Sequence, residues 1–84
     1  MNRYLVVTFR TAQFQESVIG KHVEFLDELR AQGKLEMSGP FTDMSGGAYI
    51  LKVESLDAAK AIAAADPIQA TGSSKGTVYE WRAR

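Results

Sequence analysis

Two stretches of this 84-residue chain carry large apolar side chains on both alternating faces, and only two segments have the helical spacing needed to cover them. In residues 3–10, Tyr4 and Val6 fall on one side and Leu5, Val7 and Phe9 on the other. In residues 47–53, Ala48 and Ile50 oppose Tyr49, Leu51 and Val53. Strands patterned this way are buried on both faces. A chain this short supports one core, so a single helical layer hides one face of the sheet and leaves the other to be covered from outside.

From about residue 14 the period becomes helical. Phe14, Val18, Phe25 and Leu29 form a stripe that Ile19 and Leu26 widen, while Lys21, Glu24, Asp27 and Glu28 fall opposite. Gly20 weakens the middle of this segment by about 1 kcal/mol relative to alanine, which places the regular helix from near Ser17 to Gln32 with a looser lead-in. Gly33 stands where a left-handed cap is expected. Residues 35–41 and 47–53 read as strands joined by the polar connection 42–46, as in a long hairpin. Ser55 is a good N-cap, and Asp57 lies in the first turn of an alanine-rich helix that runs to Asp66, before Pro67. After a loop at 72–76, residues 77–83 alternate as a last strand.

The order βαββαβ predicts an α+β fold, a ferredoxin-like sandwich over residues 1–84 as one domain. Right-handed crossovers put both helices on one face of a four-stranded antiparallel sheet. The bare face is then expected to pack against a second copy, because exposed apolar patches above about 400 Å² commonly mark interfaces.

Charge and composition narrow the function. Ten basic and ten acidic residues balance to zero, which removes the electrostatic footprint of a nucleic-acid or anionic-membrane binder. The opening apolar run is too short for a signal peptide or a membrane span. With no cysteine and one histidine, the sequence has no disulfide, no thiolate nucleophile and no metal-ligand spacing, so neither a metal nor a cofactor is expected. A cytoplasmic homodimer fits these features.

His22 is the feature most in need of explanation, since its helical angle sets it within the apolar stripe, facing the sheet. It is either a hydrogen-bonded core histidine or a general acid or base, for which imidazole's near-neutral pKa suits it. Asp66 is the candidate partner, a carboxylate at the unfavourable end of the second helix on the same sheet face. Alternatively, Asp66 only turns the backbone after Pro67. Ser38, Gly39 and Pro40 break the second strand, where they either shape a pocket wall or simply end an edge strand. The loop Ser73-Ser74-Lys75-Gly76 lacks the spacing of a phosphate loop, and no Gly-x-Ser-x-Gly elbow is present to support a Ser-His-Asp hydrolase. Tyr79 and Trp81 either stack a ligand or belong to a core or interface.

These residues together resemble a known family. Tyr4-Leu5-Val6-Val7, His22-x-x-Phe25-Leu26-x-x-Leu29, Gly33-x-Leu35, Ser38-Gly39-Pro40-Phe41, Ser55-Leu56-x-x-Ala59, Asp66-Pro67 and Val78-Tyr79-x-Trp81 are similar in order to the YciI-like, or YCII-related, domains. The resemblance implies a ferredoxin-like domain that dimerises into an α/β barrel, with a His-Asp dyad that maps to His22 and Asp66. One branch of that family looks like a dehydrochlorinase of chlorinated hydroxyquinols. This chain departs from the pattern in carrying little insertion in the hairpin after Phe41.

The expectation is a cofactor-independent enzyme that moves a proton on, or eliminates a leaving group from, a small cyclic or aromatic compound. His22 would be the acid or base, Asp66 would orient it, and Ser38, Gly39 and Pro40 would hold the substrate. The alternatives are a non-catalytic metabolite-binding or stress-related dimer and a domain whose only role is association.

Overall fold

A computed structural model describes residues 2–84; Met1, first in the expected domain, lies outside them. Its elements follow in the order β1 (Arg3–Arg10), α1 (Val18–Ala31), β2 (Leu35–Pro40), β3 (Gly46–Leu51), α2 (Leu56–Ala65), a one-turn helix α3 (Pro67–Ala70) and β4 (Ser74–Trp81). The strands form an antiparallel sheet in the order β2-β3-β1-β4. This is the expected ferredoxin-like α+β arrangement, with β1 and β3, the two-faced strands, in the centre.

The helix ends follow local chemistry. Gly33, at φ 75°, lets the chain leave α1 through a Schellman turn, in which its N–H donates to the Arg30 carbonyl and the Lys34 N–H to the Leu29 carbonyl. As expected from the loosening at Gly20, the regular helix α1 begins at Val18 after Ser17, which puts Gly20 in its first turn. The Ser55 hydroxyl accepts from the Ala58 N–H at 3.0 Å and starts α2. The buried residues Ala59 and Ala63 on α2 let it lie close to the sheet.

Register sorts the two faces of the sheet. Tyr4 lies opposite Leu51, and Val6 lies between Tyr49 and Val78. These side chains face the helices and form the core with Leu26, Leu29 and Leu35. Each fully buried aliphatic side chain there contributes roughly 1.5–3 kcal/mol by leaving water. The intervening residues Leu5, Val7, Phe9, Ile50, Tyr79 and Trp81 face the other way, where no element among the described residues covers them. Phe9, Tyr79 and Trp81 remain 54%, 53% and 46% exposed.

The edge strand departs from the expected pattern. Ser38, Gly39 and Pro40 do not break β2; they stay paired with Tyr49, Ala48 and Gly47. The irregularity falls earlier, between Leu35 and Met37, where the register shifts around Glu36. That extra residue keeps Leu35 on the helix face and brings Ser38 and Pro40 onto the same face, since a bulge inverts the alternation that follows it. Pro40 is tolerated because β2 is an edge.

The last strand starts three residues earlier than the alternation suggests. Ser74, Lys75 and Gly76, expected in a loop, pair with Arg10, Phe9 and Thr8. Its end also moves, from the expected residue 83 back to Trp81. Among the described residues, no helix is long and apolar enough to cross a membrane.

Candidate functional site

Side-chain size across the sheet opens a space beneath the start of α1. At one level of the register Pro40, Gly47, Thr8 and Gly76 lie side by side on the helix face, so little volume rises from the sheet. On the β4 side the gap is filled by Gln69, whose carboxamide accepts from the Gly76 N–H and donates to the Ala63 carbonyl. On the β2 side it stays open as a cleft of about 460 Å³. The cleft lies between Thr8 and Gly47 on the sheet, Ile19, His22 and Val23 on α1, and Met44 of the β2–β3 hairpin.

The two glycines at the head of β3 are required by contact with neighbouring strands. A Cβ on Gly46 would lie 1.8 Å from the Thr8 carbonyl oxygen, and one on Gly47 would lie 2.6 Å from that of Gly39. Close approach of β3 to both neighbours therefore depends on Gly46 and Gly47, whereas Gly39 has open space where its Cβ would be. The hairpin is short but reaches the cleft through Met44, which holds a left-handed backbone at φ 66°. Asp43 supports that turn by accepting from the Ser45 N–H and hydroxyl, and these bonds hold its carboxyl below the usual range.

His22 and Asp66 meet where the two helical segments converge. The imidazole Nδ1 lies 2.9 Å from both oxygens of Asp66, with a directed hydrogen bond to Oδ1. The carboxylate is completely buried and the His22 side chain is 22% exposed. An ionised carboxylate only accepts, so the neutral imidazole carries its proton on Nδ1 and leaves the lone pair on the opposite nitrogen, Nε2. His22 is part of the cleft wall.

Asp66 does more than turn the backbone. The same Oδ1 that meets the imidazole also accepts from the Ile68 N–H at 3.1 Å, so the residue turns the chain and anchors His22 together. Asp66 stands at the C-terminal end of α2, where the helix dipole disfavours a carboxylate. It also caps α3, where backbone donors favour a negative charge, and this offsets the cost.

Tyr49 is the residue that sequence reasoning missed. It faces the helices from the middle of β3, and its ring centroid is 6.2 Å from that of His22. Its hydroxyl and Asp66 Oδ2 are the two buried side-chain polar atoms left without a hydrogen bond among the described residues. Burial, and then the charge of Asp66, push the phenol far above its usual range, so it stays protonated and available as a donor at any physiological pH. Its alternation with Leu51 identified its face, but nothing in the sequence marked its nearness to Asp66.

Ser38, Gly39 and Pro40 all line the cleft, and Ser38 also receives a long 3.4 Å contact from Arg30. Ser74 lines it too, as a strand residue opposite Arg10 and not as part of a phosphate loop. No group of three histidine, cysteine or acidic residues is placed to hold a metal among the described residues. Tyr79 and Trp81 face away from this site, on the uncovered side of the sheet.

Comparison with known proteins agrees with this architecture. An uncharacterised protein of Bacillus subtilis (strain 168), YjpA, is 46% identical over 82 residues, which is 98% of this chain and 96% of that protein. A solved structure of 5-chloro-2-hydroxyhydroquinone dehydrochlorinase (TftG) from Burkholderia phenoliruptrix AC1100, in complex with 2,5-dihydroxybenzoquinone, superposes with a TM-score of 0.78. The match covers 98% of this chain and 95% of that one at 22% identity, so it is a likeness of fold. The model of the YCII-related domain matches residues 2–82, and with the Bacillus relative it establishes that the chain belongs to the YCII-related domain family.

Proposed function

We propose that this protein is a cofactor-independent acid–base enzyme acting on a small cyclic or aromatic compound in the cleft beside His22. The observation that carries the reading is the His22–Asp66 contact of 2.9 Å, with its carboxylate buried and the imidazole forming part of the cleft wall. Asp66 holds the proton on Nδ1 and steadies the cation that forms when Nε2 takes a second one. In this reading Nε2 removes a proton from the ligand. The electron pair left behind either shifts within the ring system or expels a leaving group, which departs with the electrons of its own bond. Ser38, Gly39 and Pro40 form the wall against which the ring is held. The fold-level neighbour's dehydrochlorination of a chlorinated hydroxyquinol is chemistry of this kind.

The uncovered sheet face supports a second element of the proposal, that two copies pack sheet to sheet as a homodimer. Phe9, Met37, Tyr79 and Trp81 are each about half exposed and share one face, and clustered exposed apolar side chains commonly mark an interface.

Turnover of 5-chloro-2-hydroxyhydroquinone and related ring compounds tests the chemistry. His22→Asn is expected to lower the rate at least a hundredfold with the fold retained by circular dichroism, as loss of a general base does. A rate unchanged in His22→Asn sinks the enzyme reading. Binding of these compounds with no turnover favours a metabolite-binding dimer instead. Light scattering at micromolar concentration should give twice the chain mass, and a monomer would sink the dimer.

A further inference from the structure

We infer that the cleft selects an anionic ring compound, and that Arg10 is the residue that reads its charge. The inference rests on the proposal that the cleft is a ligand site, and it adds the chemical class of that ligand.

Arg10 ends β1 on the helix face, in the same alternation as Tyr4, Val6 and Thr8, which turns it toward the cleft instead of toward open solvent. Its guanidinium carbon lies 4.1 Å from the centroid of the Phe14 ring, and both residues line the cleft. A guanidinium placed over a ring face keeps its N–H groups free for an acceptor, because the cation–π attraction takes none of them as directed bonds. Among the described residues no side chain or carbonyl accepts from that guanidinium, and Arg10 belongs to neither of the two ion pairs. Arg3 is paired with Glu36 at 2.6 Å, and Arg30 points at Ser38. Arg10 is the arginine in the cleft, held over the Phe14 ring and unspent.

The rest of the lining reinforces the sign of the charge. It contains no Asp or Glu among the described residues, and Asp66 sits behind His22 with its carboxylate committed to the imidazole and to the Ile68 N–H. The remaining wall is apolar or hydroxyl-bearing, with Phe14, Ile19, Val23 and Met44 on one side and Thr8 and Ser74 on the other. A planar ring fits between such walls, and a single oxyanion at its edge meets the fork of Arg10 in the bidentate geometry that guanidinium groups favour. The shared chemistry is an acidic oxygen on a ring, whether a carboxylate or a ring enolate.

Titration of the labelled protein by NMR with benzoate, 2,5-dihydroxybenzoquinone and neutral benzamide tests the inference without requiring turnover. At least one of the two anions should bind about tenfold or more tighter than benzamide, with shifts centred on Arg10, Phe14 and His22. Which anion binds identifies the source of the oxygen. Arg10→Met should remove the preference while leaving benzamide binding unchanged, and Arg10→Lys should restore part of it. Three results overturn the inference: equal binding of anions and benzamide, a preference that survives in Arg10→Met, or no shift with either anion at about 10 mM. Failure of the enzyme reading looks different, because His22→Asn would then leave turnover intact while the anion preference stood.

Discussion

The two faces of this sheet are built from the same four strands by the same alternation, yet they solve opposite problems. Toward the helices, Val6, Tyr49 and Leu51 are sealed by the chain's own α1 and α2, and the polar groups Asp66, Thr8 and Ser74 are buried with them. Away from the helices, Phe9, Met37, Tyr79 and Trp81 are apolar and wet. Burial on the first face is an intramolecular term that every protomer has at any concentration, whereas burial on the second requires another molecule and depends on concentration. The cleft and the His22–Asp66 pair sit on the face whose stability the chain controls by itself.

Substitutions on each side test that contrast. The largest effect is expected from Leu51→Ala, which empties a fully buried position and should lower unfolding free energy by about 3 kcal/mol in urea titrations, whatever the protein concentration. His22→Ala should follow at about 2 kcal/mol, since it strands a buried carboxylate that keeps only its backbone donor. A cost near zero would mean that Asp66 does not rely on the imidazole.

Tyr49→Phe removes a buried hydroxyl that has no hydrogen bond, so it should change stability by less than about 0.5 kcal/mol at neutral pH, yet it carries a pH signature. The folded state holds the Tyr49 proton above the phenol's unfolded pKa, so its contribution is complete below about pH 10 and is lost as pH rises beyond that. Wild type should therefore lose stability in alkali faster than Tyr49→Phe. Tyr4, whose hydroxyl is also raised by burial and by Glu80, is present in both proteins, so the difference between them isolates Tyr49. Parallel alkaline curves would remove the link between Tyr49 and Asp66.

On the open face, Tyr79→Thr should change the stability of a dilute protomer by less than about 0.5 kcal/mol. The same change should abolish any rise of melting temperature with protein concentration. A large loss at high dilution would mean that the open face is stabilised within the chain.

The order of the four strands and two main helices, the single helical layer and the meeting of His22 with Asp66 were legible from periodicity and the handedness of the crossovers, whereas the one-turn helix α3 was not. Arg10 was legible in principle, since its parity with Tyr4 and Val6 assigns its face, but a charge at a strand end reads first as a solvated terminus. The bulge at Glu36 left no local mark, because the glycine and proline that suggested an irregularity come three and four residues later. The early start of β4 was hidden by Ser74, Lys75 and Gly76, which have loop composition and are held as a strand by pairing with β1. The double use of Asp66 was obscured because turn-making and partnering looked like competing roles, and one oxygen performs both.

The low row formed by Pro40, Gly47, Thr8 and Gly76 means that the room for a guest is set by the sheet and not by long loops. Gln69 already occupies one end of that row, showing how a single side chain lowered from the helical layer takes up the available depth. A relative with a bulkier residue at the position of Thr8 would keep its imidazole and its carboxylate and admit only a thinner or shorter guest. The depth of the space and the imidazole–carboxylate pair are thus carried by different residues and are free to change one at a time.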